Sequence, residues 1–173
     1  TRFRTVGARA ILDEVAFPQQ YLNPSAKRLY VAQKATRAKR EGIIRARGRP
    51  TSLARFVTKR SPGKAGVTVQ VEPGSSQELP RAFMVKLRAG SAGIDTQFNL
   101  GLAIRLGKGK TMRGKRNAIR LDSGLYLLYG PSVDQVFINA TGAKAGQGVA
   151  TRMTPDMLDF MEAEFLRLLD LDL

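Results

Sequence analysis

Val67-Thr68-Val69-Gln70-Val71-Glu72-Pro73-Gly74 alternates apolar and polar residues and then stops at a turn pair. A period of two puts the three valines on one face, so the stretch predicts a half-buried strand. The same alternation returns downstream. Phe83, Val85 and Leu87 alternate with Met84, Lys86 and Arg88, and Leu100, Leu102, Ile104 and Leu106 alternate with Gly101, Ala103 and Arg105. Residues 124–129 read as a fourth strand, stopped by Gly130-Pro131. The stretches between read as connections: a polar loop at 75–80, a turn at 89–93, a Gly/Lys/Arg-rich loop at 107–117 and a Gly/Ala loop at 141–147. Residues 133–138 fit a short helix or an extended segment.

Helical spacing appears on both sides of this block. Ala8, Ile11, Leu12 and Val15 recur at i, i+3, i+4 and i+7, predicting a short helix over residues 5–15. Residues 17–24, with two prolines, predict an extended connector. Ser25 is a candidate N-cap for a second helix to about residue 45, thin in large apolar residues and covered by Lys27, Arg28, Lys34, Arg37, Lys39 and Arg40. Arg45-Ala46-Arg47-Gly48-Arg49-Pro50 follows as a basic turn, and residues 51–57 read as a helical turn or a strand. At the far end, Thr154 as N-cap and Pro155 at the first helical position predict a closing helix. Its stripe, Leu158, Met161, Phe165 and Leu168, is expected to pack on Phe83, Val85, Leu102 and Ile104. The expected fold class is α+β: an antiparallel sheet of about four strands packed by a C-terminal amphipathic helix, with basic helices and an extended arm at the N-terminus. The expected organisation is a basic helical arm over residues 1–66 and a sheet-and-helix core over 67–173.

Composition narrows the function. The chain has 173 residues, no Cys and no His, so disulfides, thiolate metal sites, the thiol nucleophile and the commonest general base are all excluded. Catalysis would have to rest on carboxylates, Lys, Ser or Tyr, and no enzyme is expected. Apolar runs are far short of a membrane span, and no secretory hydrophobic segment opens the chain. Gly107-Lys108-Gly109-Lys110-Thr111 suggests a phosphate-binding loop, but the spacing would place the first glycine at position 104, which is Ile104. Asp156, Asp159, Glu162 and Glu164 offer paired acids without a third oriented ligand, and a solvated helix face accounts for them. No catalytic, cofactor-binding or metal residues are assigned, and no cofactor is expected.

Charge is the stronger signal. The net charge of +15 is divided unevenly: +13 over residues 1–66, +6 over 67–150 and −4 over 151–173. Such asymmetry calls for an anionic partner, either nucleic acid or an acidic protein surface. The candidate interaction surface is Lys27, Arg28, Lys34, Arg37, Lys39, Arg40, Arg45, Arg47 and Arg49. Aromatic residues are sparse beside it, with Tyr30 inside and Phe56 beyond, which argues against base stacking and for a protein neighbour.

Three segments together resemble the phage minor tail protein Z family and related tail-completion, or head–tail neck, proteins. They are Arg81-Ala82-Phe83-Met84-Val85, Leu100-Gly101-Leu102-Ala103-Ile104-Arg105 and Leu127-Leu128-Tyr129-Gly130-Pro131-Ser132-Val133. The basic segment at 31–49 and the amphipathic end at 155–169 fit the same order, so the resemblance covers residues 31–170. It implies a structural virion protein of a tailed bacteriophage that completes the tail or joins it to the head. It further implies a homo-oligomeric ring, with a hexamer favoured by the sixfold symmetry of tail tubes, and assembly in the host bacterial cytoplasm. The implied partners are other tail or neck proteins, with the viral DNA end as a further candidate contact and no membrane. The competing reading is a basic nucleic-acid-binding protein, ribosomal or DNA-packaging related.

Overall fold

The chain alternates between two compact units, crossing between them four times. The first holds Thr1–Asp13, Leu22–Gly48 and Val133–Leu173, and the second Glu14–Tyr21 and Arg49–Ser132. Each therefore draws on residues from both sides of position 66. The computed structural model describes residues 2–36, 38, 39, 41–60, 66–87, 100–107, 110, 112, 118–139 and 147–169, without the side chains of residues 60 and 164–169. The sequence-predicted turn at 89–93 lies outside the described residues, as do most of the loops at 107–117 and 141–147.

In the first unit, helix α1 (Arg2–Glu14) forms where the helical spacing predicts it and buries Gly7, Ala8 and Ile11. Helix α2 (Val133–Ile138) buries Val133 and Val136, resolving the segment that the sequence leaves open. Helix α3 (Val149–Leu169) starts earlier than the Thr154-Pro155 cap signal predicts, and Pro155 lies inside it. The upstream turn is held by burial, Val149 being 0% and Met153 7% exposed. The Thr154 hydroxyl donates back to the Ala150 carbonyl at 2.9 Å instead of capping an N-terminus. A Cβ placed on Gly7 would lie 3.3 Å from Phe137 and 3.5 Å from Met153 Sδ, so α1 approaches α2 and α3 closely at this glycine. The Arg4 guanidinium donates to the carbonyl of Leu29 (3.1 Å) and to that of Leu22, tying α1 to the segments that follow it.

The predicted basic helix over residues 25–45 does not form. A short 3₁₀ turn (Pro24–Ala26) leads instead to an antiparallel ribbon of β1 (Leu29–Gln33) and β2 (Ile43–Ala46). Lys27 makes the corner in left-handed conformation at φ 47°. The physical reason is burial. Leu29 is fully buried and Val31 and Ile44 are half-buried through strand pairing, whereas a helix here would have had too few large apolar residues for a core face.

The second unit contains the predicted strands and several more. Strands β3 (Thr51–Ser52), β4 (Val57–Arg60), β5 (Val67–Val69), β6 (Gln77–Leu79), β7 (Ala82–Lys86), β8 (Leu100–Arg105), β9 (Ala118–Arg120) and β10 (Leu125–Gly130) make two antiparallel sheets. One runs β3-β10-β8-β7 with β9 also on β10, and the other runs β4-β5-β6. The fold is thus α+β with antiparallel sheets and a C-terminal helix, but it holds more than the four expected strands. Residues 51–57 are both strand and helical turn, since a 3₁₀ turn (Leu53–Phe56) joins β3 to β4. The polar loop expected at 75–80 contains β6, whose backbone pairing with β5 leaves no trace in side-chain alternation.

Nor is the 17–24 connector an extended arm. Phe17 and Tyr21 are buried and stacked at 4.9 Å, Phe17 meets Phe56 at 5.5 Å, and the Tyr21 hydroxyl hydrogen-bonds Thr51 Oγ1 at 2.8 Å. Two aromatic rings hold this turn in a core despite its prolines. Two glycines of this unit permit close packing: a Cβ on Gly130 would fall 2.9 Å from the Phe56 ring, and one on Gly101 2.8 Å from Leu127.

Candidate interaction surface

The β1–β2 ribbon and α2 enclose an open cleft of about 420 Å³ within the first unit. Its lining is Lys27, Tyr30, Ile44, Arg45, Ala46, Arg47, Asp134 and Ile138. The register pairs Tyr30 with Arg45 and Leu29 with Ala46, which turns Leu29 into the core and brings Tyr30 and Arg45 together on the outer side. Arg47, two positions beyond Arg45, returns to that side. Its amide donates to the Arg28 carbonyl at 2.8 Å, and its own carbonyl accepts the Asp134 amide at 3.2 Å, joining the ribbon to the start of α2. A Cβ on Gly48 would lie 3.8 Å from Asp134 Oδ2, so this carboxylate borders the bend after β2.

Of the nine sequence-predicted surface residues, Lys27, Arg45 and Arg47 line the cleft and all three are exposed. Arg28 is half-buried just before β1. Lys34 and Lys39 lie beyond the cleft towards the ribbon tip, where Lys39 Nζ donates to Gln33 Oε1 at 2.7 Å. Arg49 belongs to the second unit. Arg37 and Arg40 lie outside the described residues. The sequence-based surface missed Tyr30, Ile44, Ala46, Asp134 and Ile138. Asp134 and Ile138, four apart on α2, could have been found only from the helical alternative for 133–138.

The arrangement suits recognition. It offers a half-apolar lining with three exposed cations, and one carboxylate beside the bend. Among the described residues no group of three or more His, Cys, Asp or Glu could hold a metal ion, and no helix is long and apolar enough to cross a membrane.

The other surface in the unit is α3. Phe160 meets Phe3 edge-to-face at 5.4 Å and lies under the Arg2 guanidinium at 4.3 Å. Leu158 and Met161, expected to pack on the sheet, are instead 60% and 55% exposed. The inward face of α3 is the one carrying Met153 and Phe160, and the two described members of the stripe read from sequence, Leu158 and Met161, turn to solvent. The side chains of Phe165 and Leu168 lie outside the described residues. No family model matches the chain, and neither does any curated protein or solved structure.

Proposed function

We propose that this chain is a non-enzymatic structural protein of a tailed-phage virion, a tail-completion or neck subunit that joins tail to head. It acts in a homo-oligomeric ring, sixfold by preference, among other tail and neck proteins, and is assembled in the host cytoplasm. One observation carries the reading beyond the sequence resemblance. A single unit bears a basic cleft and, separately, an acidic helix with exposed apolar residues. Different, complementary faces on one subunit are what ring contacts require. The test is electron microscopy of particles made without the protein. Separate heads and tails, joined when purified protein is added, are expected; normally joined particles would refute the reading.

A second reading has its own observation. A two-stranded antiparallel ribbon is one of the shapes that the DNA major groove admits, and this one carries Arg45, Arg47 and Lys39. Binding to duplex DNA that weakens steeply with salt would favour it.

A further inference from the structure

Helix α3 has two apolar faces. At 100° per residue, Met153, Met157 and Phe160 cluster on one side, and Leu158 and Met161 cluster roughly a quarter turn away. The first face is in use within the chain: Met153 is buried, and Phe160 packs on Phe3 and under Arg2. The second is not, as the exposure of Leu158 and Met161 shows. Two large apolar residues side by side on a solvated helix lose solvation free energy until something covers them. Glu162 and Asp159, both exposed, run along one margin of this face, so its complement must be apolar in the middle and cationic on one side.

The cleft between the ribbon and α2 has that character. Tyr30, Ile44, Ala46 and Ile138 supply the apolar part of its lining, drawn from both faces of the ribbon and from α2, and Lys27, Arg45 and Arg47 supply exposed cations. Leu158 and Met161 of the same chain do not fill it, because they stand in solvent. We infer that the outer face of α3 docks, through Leu158 and Met161, into the Lys27/Arg45/Arg47 cleft of a second copy of this chain. The acidic margin of the helix lies along the ribbon, away from Asp134 at the α2 side. Each copy then gives its helix to one neighbour and accepts a helix from another, a heterologous contact that propagates until it closes. Charge complementarity selects this pairing over helix against helix, which would set acid on acid. The inference rests on the ring reading above and makes it specific to two named surfaces.

The test uses the full chain and two variants, L158E/M161E on the helix face and K27E/R45E/R47E in the cleft, followed by sedimentation velocity at physiological ionic strength. Every altered side chain is exposed, so both variants should keep the wild-type melting temperature; the milder Leu158→Ser and Arg45→Gln forms replace any that does not. The wild type is expected to sediment as a closed oligomer and each variant alone as a monomer. An equimolar mixture should give dimers and nothing larger, because only one of the two possible contacts survives, the intact helix of one variant in the intact cleft of the other. Folded variants that keep the wild-type mass, or a mixture that stays monomeric, would overturn the docking. An oligomer that persists in both variants would leave the ring reading standing while removing these surfaces from it. Loss of duplex DNA binding in the cleft variant, with its mass unchanged, would reassign the cleft to phosphate and also overturn the proposal.

Discussion

Phe56, 2% exposed, is held between the Phe17 ring and the backbone of Gly130. Removing it empties the centre of the second unit, so Phe56→Ala should cost about 3–5 kcal/mol in chemical denaturation, as buried Phe truncations do. Gly130→Ala drives a methyl group into that ring and should cost about 1–3 kcal/mol by overpacking. An unchanged midpoint in either variant would mean that Phe56 is not the packing centre. In the first unit, Arg4→Ala strips donors from the Leu22 and Leu29 carbonyls, and a loss of about 1–3 kcal/mol is expected. None of these roles was legible locally. Phe56 falls where residues 51–57 fit helix and strand equally, and Arg4 reads as one more surface cation in a basic segment. Gly130 was visible as a strand stop, but its reason, a ring from a segment more than 70 residues away, was not.

At the scale of elements, β5, β7 and β8 were legible because apolar residues recur along them at a period of two, and β10 as a short apolar run stopped by Gly130-Pro131, although β8 and β10 bury adjacent residues and so both of their faces. Strands β6 and β9 were not, since backbone pairing alone defines them. The ribbon was misread for a different reason: Ala, Lys, Arg and Gln are good helix formers, and local propensity points the wrong way where pairing across the tip decides. Closure at α3 shows the converse, a strong local cap signature at Thr154-Pro155 overridden by burial of Val149 and Met153. The ribbon can be tested directly. Arg47 donates to Arg28 just beyond it, so Val31 and Ile44 form a non-hydrogen-bonded pair by the antiparallel alternation, with Cα atoms about 4.5 Å apart. A disulfide needs such a separation, and the chain has no other cysteine to compete. Val31→Cys with Ile44→Cys should therefore oxidise within the chain, as peptide mapping would show. In a helix the two positions would lie about 20 Å apart and could not.

On the scale of the whole molecule, the sequence carried the charge division but not the interleaving of two units, because contacts between distant segments have no local period. Of the candidate surface, the basic segment was legible as a cluster. Its division into cleft and tip was not, since that depends on the Tyr30–Arg45 register and on α2 arriving from a hundred residues downstream. Without His or Cys, a clean preparation is expected to show no nuclease, hydrolase or nucleotidase activity. Metal-dependent DNA cleavage that Asp159→Asn or Glu162→Gln abolishes would contradict the structural reading. In the proposed assembly, unlike faces of this chain meet in a closed ring. Negative-stain electron microscopy of the purified full chain at physiological salt would see that ring. Class averages should show closed rings of one fixed subunit number, six by preference, whereas lone subunits, twofold dimers or open filaments would contradict it.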